Sequence, residues 1–271
     1  MPTISSTVRV ERASATLSAA AASSFLDGIR IDFGPHGLIG RFFLHAETAA
    51  RERGVAVSFA PMQQLVEINQ RNPDTWRPLL PHYDPSYGGI SQRNAFCLVG
   101  RDQAGDIVAT QAARFYDFTE TNLHEEATSL RLFYPDPERM RRVGEGCTIT
   151  APSAERIRGR VVFSGAAWYR PDFRGRELSS VLPRIARAYA HAIWNTDCTV
   201  TFIAKMLVDR GVPRRVGYTN LEWDVVLCNS IIGPYHGALV WMETDEMLRD
   251  LSAYMNTLAQ IDGRVHQGRA Q

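Results

Sequence analysis

The sequence predicts a mixed α/β (α+β) protein in which short strands and helices are interleaved along the chain. Three observations predict it. Short apolar runs rich in Val, Ile, Phe and Thr recur between Val55 and Met242, and such runs bounded by turn residues read as strands. Between them apolar residues return every three or four positions, the period of a helix with one buried face. The chain has 271 residues, 45% of them hydrophobic, which is enough for one sizeable core.

The elements follow in order. Residues 1–24 are rich in Ser, Thr and Ala, with Arg9 and Arg12. They lack the continuous apolar run of a secretory signal and are expected to form a tail. Residues 36–53 place Leu38, Ile39, Phe42, Phe43 and Ala46 on one helical face and end in Arg51, Glu52 and Arg53, with Gly54 as the stop. Residues 55–60 read as a strand. Pro61 suits a first helical position, and Leu65, Val66 and Ile68 continue that helix to about Asn72. Residues 74–80 read as a second, short helix capped by Asp74.

Residues 96–99 and 107–115 form a predicted hairpin around residues 102–106. The apolar run 161–167 is the next strand. Leu178, Val181, Leu182, Ile185, Tyr189 and Ile193 then share a helical face. Residues 199–204 are a strand and 206–210 a short helix. Residues 224–228 and 238–242 are two strands around a turn at 233–237. Thr244 or Asp245 caps a last helix carrying Met247, Leu248, Leu251, Tyr254, Met255 and Leu258. The expected division is a tail plus added helix over 1–53, a main domain over 54–243, and a C-terminal helix and tail over 244–271. The two added helices are expected to complete the core, or to form a homodimer contact.

At the centre the chain reads Trp168-Tyr169-Arg170-Pro171-Asp172-Phe173-Arg174-Gly175-Arg176-Glu177-Leu178-Ser179-Ser180. A strand, a tight basic turn and a helix start make an anion site, because the first helical N–H groups lack partners and the helix dipole adds positive potential. Arg174 and Arg176 add charge-assisted donors for phosphate. This stretch resembles the acyl-CoA-binding segment of the GCN5-related N-acetyltransferase superfamily. Arg174-Gly175 matches its opening, Pro171-Asp172-Phe173 its lead-in, and Ser179 its final small residue. Glu177 stands where the first required glycine is expected, and places a carboxylate beside the phosphate site. The predicted order of elements over residues 54–243 is also that of the superfamily.

The resemblance implies a mostly antiparallel central sheet flanked by helices. It implies transfer of an acetyl or other acyl group from acetyl-CoA or another acyl-CoA, by direct attack of a small-molecule or peptide amine, without a metal. Trp168, Tyr169, Arg170 and the run Arg174, Gly175, Arg176, Glu177, Leu178, Ser179 and Ser180 would hold the CoA. A backbone N–H between about Gly165 and Trp168 would stabilise the oxyanion. Two other readings stand beside this one. One is a non-catalytic, CoA-binding or degenerate protein of the same fold, favoured by Glu177. The other is an enzyme resembling acyl-homoserine-lactone synthases.

Candidates for proton transfer are few. The superfamily often carries an Asn after the next strand and a Tyr shortly before Gly-Phe. Here Lys205-Met206 follows the strand, and Pro213 lies five positions before Tyr218. Tyr218 itself is a candidate acid. Glu125 and Glu126 are candidate bases, since adjacent like charges raise one pKa. Asp117, Glu120, Glu145, Glu222 and His124 are further choices. The aromatic, Pro- and Gly-rich run 76–89 is the candidate acceptor site, with Trp76, His82, Tyr83 and Tyr87 positioned to stack on a substrate.

The remaining composition mostly excludes. A net charge of +1 gives no broad case for nucleic acid or an anionic membrane surface. No apolar run approaches the roughly 18 residues of a membrane span. Cys97, Cys147, Cys198 and Cys228 show no metal-ligand spacing. Cys97 and Cys228, inside predicted strands, are expected to be buried free thiols, consistent with a reducing cytoplasm. Lys205 is the sole lysine; the arginine excess suggests a GC-rich, bacterial genome.

Overall fold

Antiparallel pairing of consecutive apolar runs builds most of the sheet. In the computed structural model, which describes residues 24–268 and side chains to residue 258, β1 (Ala56–Ala60) pairs with β2 (Ala95–Arg101), and β2 with β3 (Ile107–Phe118). β3 pairs antiparallel with β5 (Gly159–Tyr169), and β5 lies parallel to β6 (Cys198–Ala204). β8 (Tyr235–Glu243) adds to β6, then β7 (Asn220–Cys228) to β8, and β4 (Gly146–Ile149) closes the edge. The result is one eight-stranded sheet of order β1-β2-β3-β5-β6-β8-β7-β4, antiparallel at every step but β5–β6. Such a parallel pair needs a crossover, here the helix that follows the central turn.

Helices cover both faces. α1 (His36–Glu52), α2 (Met62–Arg71), α3 (Leu123–Thr128), α4 (Pro137–Met140), α5 (Ser153–Arg156), α6 (Leu178–Trp194), α7 (Lys205–Asp209), α8 (Val212–Arg215) and α9 (Thr244–Gly268) follow in chain order. α1 buries Ile39, Phe42, Phe43, Ala46, Ala49 and Ala50, and joins α6 and α9 in one core beneath the sheet. The other face packs α2, the loop after it and α3 against β2, β3 and β5. Gly54, in the left-handed region at φ 79°, ends α1 as expected.

Two sequence expectations fail locally, and one strand lies where none is expected. Residues 74–80 form no helix: the N–H groups of Thr75 and Trp76 bond back to Asn72 O in a turn. Pro78 biases Arg77 away from helical backbone, and the chain continues through 3₁₀ turns at Pro81–Tyr83 and Pro85–Tyr87. β4 was not foreseen, since four residues carry too little alternation to stand out. Cys228 is exposed. β7 turns Val225 and Leu227 inward, so Cys228 faces out. Cys97 is buried as expected, and burial pushes its thiol up to about 12. The tail over 1–23 lies outside the described residues.

The apolar face of α6 buries Leu178, Val181, Leu182 and Ile185, but its inner surface also holds Arg184 and Arg187. Asp250 of α9 answers both. It accepts from Arg184 Nε and Nη2 at 2.8 Å and from Arg187 Nη2 at 3.2 Å. Arg187 is fully buried, and its guanidinium also donates to Val216 O at 2.8 Å. This ion cluster fixes the C-terminal helix to the helix that follows the central turn.

Candidate functional site

The site begins where β5 and β6 part. They pair only at Val161–Cys198, Val162–Thr199 and Phe163–Val200. Beyond Phe163 the strands diverge and no pairing fills the gap. β5 also carries an extra residue against β3: Thr110 faces Trp168 while Ala112 faces Gly165. The bulge puts Ala166 in the left-handed region at φ 50°, a conformation that costs a non-glycine residue roughly 1–2 kcal/mol. Thr110 Oγ1 donates to Ala166 O at 2.9 Å, and Gln111 Nε2 to Gly165 O at 3.0 Å. The bulge is therefore held from one side with its other side toward the gap.

The gap opens into a cleft of about 1080 Å³. Its floor is Ala166, Ala167, Trp168 and Tyr169 of β5. One end is the central turn, with Arg174, Gly175, Glu177, Leu178 and Ser179. The loop after α2 and the β7–β8 connection also line the cleft, with Trp76, Arg77, Ile232, Pro234, Tyr235 and His236.

At the turn end, Gly175 lies at φ 83° and Glu177, the N-cap of α6, at φ 58° without a side-chain cap bond. The Leu178 and Ser179 N–H groups are thus left for a ligand, whereas Ser180 N–H donates to Glu177 O at 2.9 Å. Arg174 donates from Nε to Tyr169 O at 3.1 Å and from Nη2 to Thr75 O at 3.3 Å, so it ties the covering loop to the turn. Glu177 does not point at that site alone: its Oε2 accepts from Arg53 Nη2 at 3.0 Å. Arg53, at the C-terminus of α1, thereby neutralises the carboxylate that replaces the expected glycine.

Two expected CoA contacts are committed elsewhere. Arg170 is surrounded by Asp102, Asp106 and Asp172, at 2.9, 3.5 and 2.7 Å. Arg176 lies on the face of Phe173, 3.9 Å from its centroid. Neither lines the cleft. Tyr169 does, and burial raises its hydroxyl pKa. Leu178 is buried, while Ser179 and Ser180 are half-buried; Ser180 Oγ donates to Glu177 O at 2.7 Å.

The acceptor candidates divide in two. Trp76 lines the cleft and stacks on Trp168, 5.7 Å between centroids and 15° from parallel. Tyr83 lines it as well, and its hydroxyl donates to Phe163 O at 3.2 Å, at the fork of the two strands. Burial holds that hydroxyl protonated, well above its ordinary pKa. His82 is fully buried among Tyr83, Phe133 and Phe163. Tyr87 packs on Tyr134. Neither His82 nor Tyr87 lines the cleft.

The catalytic candidates also lie outside it. Tyr218 is buried beneath the Arg187 guanidinium, 4.9 Å from its ring centroid, and burial raises its pKa. Glu125 accepts from Thr121 and Asn122 at the start of α3, and Glu126 pairs with Arg131 at 2.7 Å. Local caps and ion pairs account for both carboxylates. Sequence reading missed His236, which does line the cleft and has a carboxylate partner. His236 Nε2 meets Asp224 Oδ1 at 2.8 Å. Asp224 is the extra residue of a β7 bulge, where Trp223 faces Ala238 and Val225 faces Gly237. Only that register brings together two residues twelve positions apart, so no local pattern announces them.

Among the described residues no group of three or more His, Cys, Asp or Glu could hold a metal, and no helix is long and apolar enough to cross a membrane. No family model and no curated protein matches the sequence. Solved structures with a similar fold include the aminoglycoside acetyltransferase AAC(6')-Ib in complex with ribostamycin and coenzyme A, at 11% identity over 72% of this chain and 97% of that one, with a TM-score of 0.42. A variant of the spermidine N-acetyltransferase SpeG from Vibrio cholerae matches at 9% identity, 72% and 96% coverage and a TM-score of 0.44. An uncharacterized protein from Bacillus halodurans matches at 11% identity, 74% and 91% coverage and a TM-score of 0.43. With identities this low and TM-scores below 0.5, these likenesses carry no argument about what this chain binds or does.

Proposed function

We propose that the chain is an acyltransferase that moves an acyl group from an acyl-CoA thioester to an amine, with both substrates held in the cleft. The carrying observation is the fork between β5 and β6, which opens beside a bulge at Ala166 and runs into the Arg174–Gly175 turn at the head of α6. One continuous cleft thus carries both the basic turn and the aromatic Trp76–Trp168 wall. Holding two reactants together in this way lowers a barrier by roughly 7–11 kcal/mol at best.

The residues fit a CoA nucleotide. The α6 N–H groups and Arg174 face the pyrophosphate, and Arg53 offsets Glu177. The bulged backbone at Ala166 and Ala167 lies beside the fork, where an N–H donor would meet the developing oxyanion. His236, held by Asp224, takes the proton that the amine sheds as the C–N bond forms and the C–S bond breaks, and the sulfur leaves as thiolate. Glu125, Glu126 and Tyr218 are replaced by His236 in this role because they do not line the cleft.

Calorimetric titration with CoA and acetyl-CoA tests the reading. Micromolar binding is expected, weakened at least tenfold by Arg174→Ala, with His236→Asn binding normally but losing about 10²–10⁴ in kcat. Absence of binding by both ligands would overturn it.

A further inference from the structure

We infer that the acceptor is an amine on an aromatic or apolar molecule that carries a carboxylate, and is not a polycation. The inference rests on the transferase reading for its chemistry. Its own observation is the charge of the cleft wall. Arg77, Arg174, Lys205, Arg210 and Arg215 line the cleft, and among the described residues Glu177 is the single carboxylate that does. Glu177 is bonded to Arg53. A polyamine entering here meets cations and finds no free carboxylate to pair with.

The positive charge is divided along the cleft. Arg174 belongs to the turn. Arg215 is next to the first turns of α6, where Arg184 Nη1 donates to both Arg215 O and Ser180 O, at 3.2 and 2.7 Å. Lys205 is paired with Asp209 at 3.1 Å. Arg77 lies in the loop after α2, against Pro234. Its recorded bond is one donor to Pro234 O at 3.5 Å, so most of its planar fork is open to a carboxylate.

The surroundings of Arg77 supply the apolar part. The Trp76–Trp168 stack, Ile232 and the Tyr235 ring face the same space, and the Tyr235 hydroxyl is buried without a partner among the described residues. An aromatic body against these rings places a carboxylate near Arg77 and an amine toward His236. The basic wall then has a second effect. Nearby cations disfavour the ammonium form of the bound amine and so favour the neutral nucleophile.

The test uses the full chain, with binding read by quenching of tryptophan fluorescence, with and without CoA. The probes are L-phenylalanine, L-phenylalaninamide and spermidine. Phenylalanine is expected to bind at least tenfold more tightly than its amide, and spermidine not to compete with it. Arg77→Ala should abolish the acid-over-amide preference, Arg77→Lys should keep part of it, and both should bind CoA as the wild type does. Tighter binding of spermidine, no binding of phenylalanine, or an acid-to-amide ratio unchanged in Arg77→Ala would each overturn the inference. Because CoA affinity is measured separately, loss of CoA binding with the acid preference intact would sink the transferase reading alone.

Discussion

Replacing Glu177 by glycine should tighten CoA binding at almost no cost in stability. Glu177 sits in the left-handed region at φ 58° and ψ 16°, where glycine relieves about 1 kcal/mol of backbone penalty. The substitution gives up the pair with Arg53, whose Glu177 side chain is 70% exposed; such exposed pairs contribute about 0–1 kcal/mol. The two effects nearly cancel. For the ligand, the change removes one negative charge from the turn and releases the Arg53 guanidinium. A unit charge acts on another with about 1 kcal/mol at 4 Å in water and about half that at 8 Å. A pyrophosphate carries two charges, and screening over a Debye length of about 8 Å reduces the sum, leaving a two- to tenfold gain in affinity. Arg53→Ala should weaken CoA by a similar factor, since it leaves the carboxylate unpaired. The double variant should return near the wild type. Calorimetry on the four proteins at low and physiological salt is the assay, and the differences should shrink as salt rises. Dissociation constants within twofold across all four would show that this turn does not meet the nucleotide.

Asp250→Ala should cost about 3–5 kcal/mol in urea unfolding, because it strands the buried Arg184 and Arg187 guanidiniums; a loss below 1 kcal/mol would mean the cluster is not held as described. His82 is fully buried with both ring nitrogens unpartnered among the described residues, and burial, then Arg114, lowers its pKa well below 6.5. In that state the unfolded chain binds the extra proton, so stability is retained above about pH 6.5 and lost as the pH falls below it. His82→Phe should raise stability by about 1–3 kcal/mol and flatten, without abolishing, that acid slope in thermal melts. His191, also lowered by burial, supplies part of the remainder. An unchanged slope would refute the assignment to His82.

How much was legible in the sequence differs by residue. Periodicity announced α6 because Leu178, Val181, Leu182 and Ile185 recur on one face, and the Arg174–Gly175 turn was visible because a strand, a basic Gly turn and a helix start are contiguous. Trp76 and Tyr83 were found through local aromatic density, and both line the cleft. The same density also named His82 and Tyr87, which do not. Their neighbours in the core, Phe133, Phe163 and Tyr134, come from distant segments. Arg184 and Arg187 look like ordinary polar positions on a helix, and nothing local reveals Asp250 as their partner.

By itself, then, the sequence determined the order and kind of the main elements and the basic turn at the head of α6. Both follow from short-range rules: period of burial, backbone limits at Gly and Pro, and unpaired N–H groups at a helix start. Tertiary structure alone decided the fork between β5 and β6, the pairing of Arg53 with Glu177, and the approach of Asp224 to His236. Each of these depends on strand register or on helix packing, so its partners are set by the whole sheet and not by the residues beside them in the chain.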